Sequence, residues 1–448
     1  MASEELLADV REMIAHRQRR GIHGLAGRLG PAEWADLVPR LETAEVAVLF
    51  QWLSETELAE LLEELDPSVA ASLLRLLSRH EAADLLEAMD PDDAADVIDE
   101  LPSSEAEQLL IAMEPAGAAE LRGLLAYPAD TAGGRMTPAF VAVSPDLRAD
   151  QAIVALRRVA EEAETLYYVY VIDVDQRLLG VLSLHSLVLT RPDTLVRSLM
   201  IPDAIRVRVD ADQETAAHLL TDHNLLAVPV VDDEDHLLGI ITQDDIADIL
   251  EEEATEDIER LGGSQPLETP YRVASVALLV RRRIGWLLFL FVAGLLTSQV
   301  LKSYHSDLET VPSLIAFIPL IIGIGGNVGS QTVTTLVRAI AVGEVELRDV
   351  GWVLVKEMSV GLIVGVIMAF AGFIRVGVPE GRAVGLVVAG TIVCVTIWSA
   401  TVAAILPLVL RRFRVDPAVV SAPFITTLVD ATGLLIYLTI AGFVLSQI

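Results

Sequence analysis

The stretch SAPFITTLVDATGLLIYLTIAGFVL, residues 421–445, decides what kind of fold this chain can adopt. It is apolar, and it is longer than the roughly 20 residues that a helix needs to cross a bilayer. Its one carboxylate, Asp430, falls near the middle of such a span, where a charge costs on the order of 3 kcal/mol on insertion scales. We therefore expect Asp430 either to be protonated and inert or to face water and a cation.

The C-terminal part of the chain contains five apolar segments long enough to span a membrane. Basic residues cluster at one end of these segments, beside Arg281, Arg338 and Arg411. The positive-inside rule places that end in the cytoplasm and the C-terminus outside. The N-terminus lacks the apolar core of a signal peptide, which agrees with a cytoplasmic N-terminus. We thus predict a multi-pass protein of the cell (inner or plasma) membrane with spans at about 284–302, 312–337, 352–374, 383–409 and 418–446.

The charge of the chain is divided unevenly between its two parts. Residues 271–448 hold nine acidic and 13 basic residues, whereas residues 1–270 hold 55 acidic and 19 basic ones. Such an acidic surface favours solubility, attracts cations and repels nucleic acid, so no nucleic-acid partner is expected. The single cysteine, Cys394, excludes an intramolecular disulfide and a metal site made of several thiolates.

The second apolar segment has an unusual composition for a membrane helix. IPLIIGIGGNVGSQT, residues 318–332, holds four glycines and the polar residues Asn327, Ser330 and Gln331. Each glycine weakens a simple helix by about 1 kcal/mol relative to alanine. The pattern predicts irregular backbone that lines a cavity, close packing between helices, or both.

These residue types favour a hard cation as the ligand. One carboxylate, an amide oxygen, hydroxyls and backbone carbonyls form an oxygen-only set. So few protein ligands suit Mg²⁺, which dehydrates reluctantly and keeps most of its water. The residues alone leave Mn²⁺, Co²⁺ and Ca²⁺ open. Because residues 271–448 are few for a pore, we expect a symmetric dimer with Asp430 from both chains.

Residues 66–125 repeat with a period near twelve. Each unit continues as a short apolar helix, such as SVAASLLRLL or DDAADVIDEL. Proline in a first helical turn, with Asp or Ser before it, is a signal for a helix start. The pattern predicts a superhelical stack of short helices within an all-α N-terminal domain, residues 1–130. The units begin at Asp66, Ser78, Asp90, Leu101 and Glu114.

Residues 136–260 contain a second, longer repeat. LLGVLSLHSLV, residues 178–188, is echoed by LLGIITQDDIA, residues 237–247. Each copy reads as a short strand, a helix, two strands and a helix. The pair resembles tandem CBS domains, which have an α/β fold, and we place them at residues 131–198 and 199–250.

CBS domains of this kind close an adenosine-nucleotide site with the pattern Gly-apolar-apolar-Thr-x-x-Asp. The second copy matches that pattern at Gly239, Thr242 and Asp245, whereas the first copy has Ser183 and then Ser186 in place of the acid. The resemblance therefore implies ATP or a related nucleotide near Gly239 and Thr242, or a module that serves only for dimerisation.

The segment DDIADILEEEATEDIERLGG, residues 244–263, leads into the first span and belongs to a predicted connecting helix at 244–268. Ile246, Ile249 and Leu261 lie on or near one face, and acidic residues cover the rest. An acidic helix surface is usually a solvated face. The alternative is a lever that responds to cations, because two acidic surfaces repel each other unless divalent cations lie between them.

The order of these parts resembles the MgtE family of magnesium channels and transporters over essentially the full chain. The most specific motifs are GGNVGSQ in the second span, ATEDIERLG in the connecting helix and SAPFITTLVDATGLLIYL in the fifth span. The resemblance implies a homodimeric membrane protein whose five-helix transmembrane domain, residues 270–448, follows the cytoplasmic domains. It also implies a Mg²⁺-selective channel that imports Mg²⁺ and closes when cytoplasmic Mg²⁺ binds to the N-terminal domain, the CBS domains and the connecting (plug) helix.

The resemblance implies roles for individual residues. Asp430 would hold hydrated Mg²⁺ in a pore lined by Gly326, Asn327 and Ser330. Regulatory Mg²⁺ would bind acids of the N-terminal domain, the second CBS copy, the connecting helix and the loop before the fifth span. These acids are Glu60, Asp92, Asp96, Asp212, Glu214, Asp245, Asp248, Glu253, Glu256, Asp257 and Asp416.

Two other classes of protein remain open on the sequence. A divalent-cation carrier coupled to another ion could share such a site. A membrane-anchored nucleotide sensor without a pore would explain the CBS copies, but neither Asp430 nor the glycine-rich span. An enzyme is not expected, because the sequence has no metal-ligand histidine pair, no nucleophile elbow and no Walker lysine; its only lysines are Lys302 and Lys356.

Overall fold

The computed structural model describes most of the chain and divides it into two compact units. The first unit is Met1–Glu253 and the second is Ala254–Ile448. One helix, Gln243–Leu261, runs through the boundary between them. The described residues are 2–26, 28–160, 163–267, 269, 271, 274–305, 311–378, 381–413 and 415–445.

The first unit begins with a run of short helices, as the sequence predicts. The last five start at Pro67, Arg79, Pro91, Ser103 and Pro115, so the period is twelve residues. The helices are α1 (Ala2–Ala15), α2 (Arg19–Ala26), α3 (Pro31–Leu37), α4 (Thr43–Phe50), α5 (Glu55–Glu63), α6 (Pro67–Leu74), α7 (Arg79–Ala88), α8 (Pro91–Asp99), α9 (Ser103–Ala112) and α10 (Pro115–Leu124).

Side chains at fixed positions of the repeat start the helices and fill the core. The Asp66 carboxylate accepts a hydrogen bond of 3.0 Å from the backbone N–H of Ser68, which caps α6. Alternate helices pack on one another, α5 on α7 on α9 and α6 on α8 on α10. One buried position recurs every twelfth residue because it faces the same core in each unit: Leu62, Leu74, Leu86, Ile98 and Leu110.

Two copies of one α/β unit follow, with the element order that the sequence predicts. In each copy a short first strand pairs parallel with the second strand, which pairs antiparallel with the third. The first copy is β1 (Ala142–Val143), α11 (Ala149–Val159), β2 (Tyr168–Ile172), β3 (Leu178–Ser183) and α12 (Leu184–Leu189), with β4 (Ile201–Pro202) added beside β3. The second copy is β5 (Val207–Arg208), α13 (Gln213–His223), β6 (Ala227–Val231), β7 (Leu237–Thr242) and α14 (Gln243–Leu261).

The glycines of the two matching motifs have a structural role. A Cβ at Gly180 would lie 2.5 Å from the carbonyl oxygen of Ile201, and a Cβ at Gly239 would lie 2.8 Å from the carbonyl oxygen of Thr137. Both distances are too short for a side chain. Glycine is therefore needed at these positions for strand pairing, whatever ligand the module binds.

Among the described residues of the second unit, five helices are long and apolar enough to cross a membrane, in agreement with the predicted count. The predicted ends fall inside or close to the observed ones; residue 446, the predicted end of the last span, lies outside the described residues. The helices are α15 (Val276–Ser303), α16 (Ile318–Ala341), α17 (Val350–Gly377), α18 (Arg382–Arg412) and α19 (Ala422–Leu445), and the short 3₁₀ helix Pro312–Phe317 leads into α16.

Helix α18 forms the centre of this bundle and packs against α16, α17 and α19. Small residues allow the closest contact, since a Cβ at Gly361 of α17 would lie 2.9 Å from the carbonyl oxygen of Thr396. Helix α15 packs on α19 and leaves most of its apolar surface exposed. The bundle therefore has a small core and large apolar faces, as expected of a protein surrounded by lipid.

Candidate functional site

The glycine-rich stretch of the second span is an unbroken α-helix, so the prediction of irregular backbone there is wrong. Helix α16 runs from Ile318 to Ala341 without interruption. The glycines serve close packing instead: a Cβ at Gly325 would lie 2.7 Å from Val395 of α18, and one at Gly329 would lie 2.5 Å from Ile425 of α19. Contact with two neighbouring helices offsets the weak intrinsic helix preference of glycine.

Hydroxyl groups reinforce these helix contacts. Ser399 of α18 donates a hydrogen bond of 2.6 Å to the carbonyl oxygen of Gly325. Ser330 of α16 lies 3.2 Å from the hydroxyl of Thr426 on α19, and Gly326 packs on the same threonine. The structure thus brings α16 and α19 together at the glycines and Ser330, and it places Ser330 and Gly326 at a helix contact.

A stripe of helix α16 remains exposed in the single chain and is polar or lacks a side chain. Gly323, Asn327, Gln331 and Thr334 are all exposed. Their spacing of three or four residues places them on one face of the helix. Such a face at membrane depth is costly against lipid. It suits a water-filled passage or a second protein surface.

Asp430 lies on α19, one residue after Val429, which packs on Gly325 of α16. The carboxylate is half-buried, and its Oδ1 atom is buried without a hydrogen-bond partner among the described residues. A buried oxygen of this kind is costly unless a cation, water or proton satisfies it. The arrangement therefore fits the predicted role of Asp430 as an oxygen ligand.

A second carboxylate inside a predicted span, Glu357, was not recognised in the sequence. It lies in helix α17, where the hydroxyl of Thr332 on α16 donates a hydrogen bond of 3.3 Å to it. The signal was available, since residue 357 falls inside the predicted third span. It was overlooked because two adjacent charged residues, Lys356 and Glu357, are typical of the end of a span. Lys356 lies over the ring of Trp352.

The first unit gathers carboxylates from helix α8 and from the start of helix α14. Burial and the charge of Asp245 raise the pKa of Asp92 well above its usual value, and the Oδ1 atom of Asp92 is buried without a partner among the described residues. Burial also raises the pKa of Asp245, although Thr242 donates two hydrogen bonds of 2.8 Å to its Oδ2 atom. The predicted pair Asp92 and Asp245 is thus brought into electrostatic contact.

Acids that were not assigned as ligands from the sequence belong to the same cluster. Carboxylate oxygens of Glu63, Asp90 and Asp93 lie within 4.8 Å of one another, and burial followed by the charge of Asp92 raises the pKa of Asp93 to about 9. Burial and the charge of Asp90 raise the pKa of Glu164, in the first CBS copy, to about 7. The twelve-residue repeat would have indicated Asp90, which stands at a unit start. Glu164 has no comparable signal.

One arginine joins three elements beside this cluster. Arg135 donates a hydrogen bond of 2.9 Å to Asp96 on α8 and one of 2.8 Å to Gln213 at the start of α13. It also pairs with Glu252 on α14. Gln213 in turn donates a bond of 2.6 Å to Glu253. The predicted ligands Asp96 and Glu253 are therefore already engaged by protein groups in this structure.

The remaining predicted ligands of the first unit are more dispersed. Asp212 caps helix α13 by accepting a bond of 2.9 Å from the N–H of Glu214. Burial raises the pKa of Glu214, and nearby His218 opposes that shift. Burial, then the charge of Glu251, raises the pKa of Asp248. Glu60 is exposed on the surface of α5.

The last turns of helix α14 carry the acids predicted for the plug. Arg260 pairs with Glu256 one turn earlier and with Asp416 in the loop before α19. Asp257, also in these turns, has a partner within the protein. The structure therefore brings Glu256 and Asp416 together around one guanidinium.

The helix ends at Leu261, earlier than predicted, because Gly263 adopts a positive φ of 76° that only glycine takes readily. The predicted end at residue 268 lies outside the described residues. The loop that follows is held against α14, since Glu259 accepts a bond of 2.7 Å from the N–H of Leu267.

A cavity in the CBS pair lies at the first copy rather than at the residues named from the sequence. Thr242 is buried and donates to Asp245, and Gly239 packs on Thr137. The cavity, of about 520 Å³, is mostly apolar and large enough for a small organic ligand. Its lining includes Leu166, Tyr167, Tyr168, Ser183, Leu184, His185, Val188, Leu189 and Leu226.

Comparison with protein families matches three parts of the chain. Residues 318–440 match the model of the divalent cation transporter MgtE, residues 29–130 match the MgtE intracellular N domain, and residues 196–252 match the CBS domain. The fold and its acid-rich sites, together with these matches, define a membrane transporter for divalent cations.

Curated relatives identify the family. A magnesium transporter MgtE of Thermus thermophilus is 42% identical over 332 residues, which is 73% of this chain and 73% of the relative. A magnesium transporter MgtE of Enterococcus faecalis is 36% identical over 327 residues, 72% of this chain and 71% of the relative. The chain belongs to the MgtE family, a family of transporters rather than enzymes.

Two solved structures are similar to about half of this chain. The soluble part of a magnesium transporter aligns with a TM-score of 0.52 at 34% identity, and it covers 56% of this chain and 99% of that one. The cytosolic domain of the Mg²⁺ channel MgtE in complex with ATP aligns with the same score and identity, over 54% and 99%. These matches agree with the helical domain and CBS pair described above.

Proposed function

We propose that the protein is a Mg²⁺ channel of the cell membrane that imports Mg²⁺ and is closed by Mg²⁺ on the cytoplasmic side. Relatives that are 34–42% identical are named magnesium transporters, and one similar structure is of a Mg²⁺ channel. The observation that carries the proposal is the buried Oδ1 atom of Asp430, which has no partner among the described residues.

The proposed pore lies between two copies of the chain. Helix α16 presents Asn327 and Gln331 on a face that no part of the described chain covers, and a second copy related by twofold symmetry would enclose that face. Asp430 and Asn327 would then contribute oxygens from both chains. Such a sparse oxygen set favours an ion that retains most of its water, as Mg²⁺ does.

The proposed orientation of the chain in the membrane is inferred from the basic residues that cluster beside Arg281, Arg338 and Arg411. They place the first unit in the cytoplasm and the C-terminus outside. Mg²⁺ would bind the acids of helices α8 and α14 only in the compact arrangement of the helical and CBS domains, where their carboxylates lie close together. A ligand shifts an equilibrium by its differential affinity for two states, so cytoplasmic Mg²⁺ would favour closure.

Uptake by the Asp430→Asn variant tests the pore assignment. The substitution keeps the shape of the side chain and removes its charge, so we expect Mg²⁺ uptake to fall at least about tenfold in a strain that lacks its own magnesium transporters, the change that roughly 1.4 kcal/mol gives. Glu344→Gln, which removes an exposed carboxylate of the same unit, serves as the control. Wild-type uptake by Asp430→Asn would remove Asp430 from the pore.

A coupled carrier predicts a different result when the purified protein is tested in liposomes. Uptake of Mg²⁺ into liposomes would then depend on a gradient of Na⁺ or H⁺. A channel gives uptake that follows the Mg²⁺ gradient and the membrane potential alone. Collapse of the Na⁺ and H⁺ gradients should therefore leave the initial rate of uptake unchanged.

We further propose that an adenosine nucleotide binds the cavity of the first CBS copy. The support is the ring of Tyr168 and the imidazole of His185 in its lining, and the ATP in a similar structure. Stacking on an aromatic ring suits adenine, and a histidine suits phosphate. Titration calorimetry of the full-length protein with ATP should give a heat of binding that His185→Ala reduces. If Thr242→Val binds ATP as the wild type does and His185→Ala does not, the nucleotide site belongs to the first CBS copy and not to the second.

A further inference from the structure

Arg135 is fixed to the second CBS copy by its own backbone. On one side of it, Gly133 donates a hydrogen bond of 3.0 Å to the carbonyl oxygen of Val209. On the other side, Thr137 and Ile240 exchange two backbone hydrogen bonds of 2.8 and 2.9 Å. A segment held at both ends gives its side chain a defined starting point, so the guanidinium reaches out from a rigid base.

From this base the guanidinium contacts two other parts of the first unit. Asp96 belongs to helix α8 of the helical domain and accepts a bond of 2.9 Å. Glu252 belongs to helix α14, whose last turns are part of the second unit. The Arg135 side chain is 17% exposed and that of Asp96 is 23% exposed. Partial burial reduces screening by water, so the pair between Arg135 and Asp96 acts more strongly than an ion pair on an open surface.

The surroundings of Arg135 are acidic. Besides Asp96 and Glu252, Glu253 is tied to the same group through Gln213. Acidic side chains that approach one another from separate elements repel unless a cation lies between them. The guanidinium occupies that position, with a planar fork of donors that matches carboxylates.

We propose that Arg135 is a built-in cation that joins the helical domain to helix α14 in the compact arrangement. Its guanidinium neutralises part of the repulsion between carboxylates, as Mg²⁺ does at the neighbouring acids. The inference rests on the proposed closure by Mg²⁺ and names one residue that sets its sensitivity. Because the guanidinium is attached to the chain, it lowers the amount of Mg²⁺ that the compact arrangement needs.

Single-channel recording of the full-length protein with Mg²⁺ varied on the cytoplasmic side measures this effect. Arg135→Gln removes the charge and leaves Asp96 and Glu252 to repel each other, so we expect the Mg²⁺ concentration for half closure to rise about fivefold or more, within the usual range of coupling free energies. Saturating Mg²⁺ should still close the channel. A closure curve that overlays the wild-type curve would overturn the proposal.

Two further variants guard against a general effect of the substitution. Arg75→Gln removes the same charge from the helical domain, where Arg75 pairs with Glu105 at 2.9 Å on the surface, and it should leave half closure unchanged. Arg135→Gln combined with Glu252→Gln removes the guanidinium together with an acid that it neutralises and that is not among the predicted Mg²⁺ ligands. Half closure in this double variant should move back toward the wild-type value. An unchanged or larger shift in the double variant would contradict the inference.

Hydrogen exchange separates this inference from the proposed function. In full-length protein without divalent cations, amides of helices α8 and α14 should exchange faster in Arg135→Gln than in the wild type, and Mg²⁺ should reduce the difference. Equal exchange in the two proteins would contradict the ion-pair role. A third outcome combines two results: exchange is faster in Arg135→Gln, but the currents of the wild-type protein do not respond to cytoplasmic Mg²⁺. That outcome would refute closure by Mg²⁺ and leave the ion-pair role of Arg135 intact.

Discussion

At the scale of single residues, the membrane unit depends on groups that are very small or that lack a partner. Gly325 and Gly329 let helix α16 approach α18 and α19, because any Cβ there would meet Val395 or Ile425 within 2.7 Å. This approach sets the position of Asp430, which follows the packed residue Val429 on α19. The position of Asp430 in the proposed pore therefore depends on glycine, which has no Cβ, at residues 325 and 329.

Substitution of Gly329 by alanine tests that dependence. The new methyl group would lie 2.5 Å from Ile425 and 2.7 Å from the Ser399 hydroxyl, so we expect a loss of stability of about 1–3 kcal/mol, as for overpacked cores. Thermal unfolding in detergent measures the change. Gly390→Ala, at a helical glycine with no atom within 4 Å of the new Cβ, is the control and should unfold no earlier than the wild type. Equal unfolding temperatures for Gly329→Ala and the wild type would contradict the packing.

The sequence indicated some site residues and not others, for a physical reason. Asp430 is conspicuous because a charge in an apolar run has no local explanation. Arg135 is an unremarkable basic residue in its local sequence, and its partners Asp96 and Glu252 lie 39 and 117 residues away. Interactions over such separations leave no local pattern. Glu164 was missed for the same reason.

At the scale of elements, regular patterns were predicted well and local propensity was misleading once. The twelve-residue period, the order of strands and helices in the CBS copies and the five spans all follow from periodic burial of apolar side chains. Helix α16 is the exception. Its glycines predicted a break, but that argument considers the helix alone, whereas contacts with α18 and α19 stabilise it in the bundle.

The periodic core of the helical domain gives a direct test. Ile98 of helix α8 is 1% exposed, whereas Ile111 of helix α9 is 70% exposed. Ile98→Ala should therefore lower the stability of the domain by about 2–5 kcal/mol, because it leaves a cavity. Ile111→Ala removes the same atoms from the surface and should cost little. Chemical unfolding followed by circular dichroism compares the two; similar midpoints would exclude a core at the twelfth-residue positions.

At the scale of the whole molecule, the net charge governs how the protein responds to protons and divalent cations. The chain has a net charge of −32, and the acids lie mainly in residues 1–270. The fold concentrates several of these acids on helices α8 and α14, where burial raises their pKa values. Protons and divalent cations are then alternative ways to relieve one repulsion. The two should compete for the same carboxylates.

The competition predicts a pH dependence with a definite sign. Burial raises the pKa of Asp93 from its usual 3.8 to about 9, and that of Glu164 from 4.5 to about 7. Protonation therefore stabilises the packed form at low pH, and this contribution is lost as the pH rises through the raised pKa values. Without divalent cations, the melting temperature of the first unit should fall between pH 5.5 and 8.5.

Added Mg²⁺ should counter that fall, so the rise in melting temperature on adding Mg²⁺ should be larger at pH 8.5 than at pH 5.5. Differential scanning calorimetry with chelator or with Mg²⁺ measures both values. Asp93→Asn should flatten the pH dependence in chelator, since the amide carries no titrating proton. A Mg²⁺ effect of the same size at both pH values would contradict the competition.

The two rows of helices in the helical domain impose a rule on its length. Helices stack on their second neighbours, α6 on α8 and α7 on α9, and Glu63 accepts a hydrogen bond from the N–H of Asp90, which lies 27 residues further along the chain. A deletion or duplication of one twelve-residue unit would therefore swap the rows and pair the wrong surfaces. Evolution can lengthen or shorten this domain without disrupting its interior only in steps of 24 residues, a pair of units at a time.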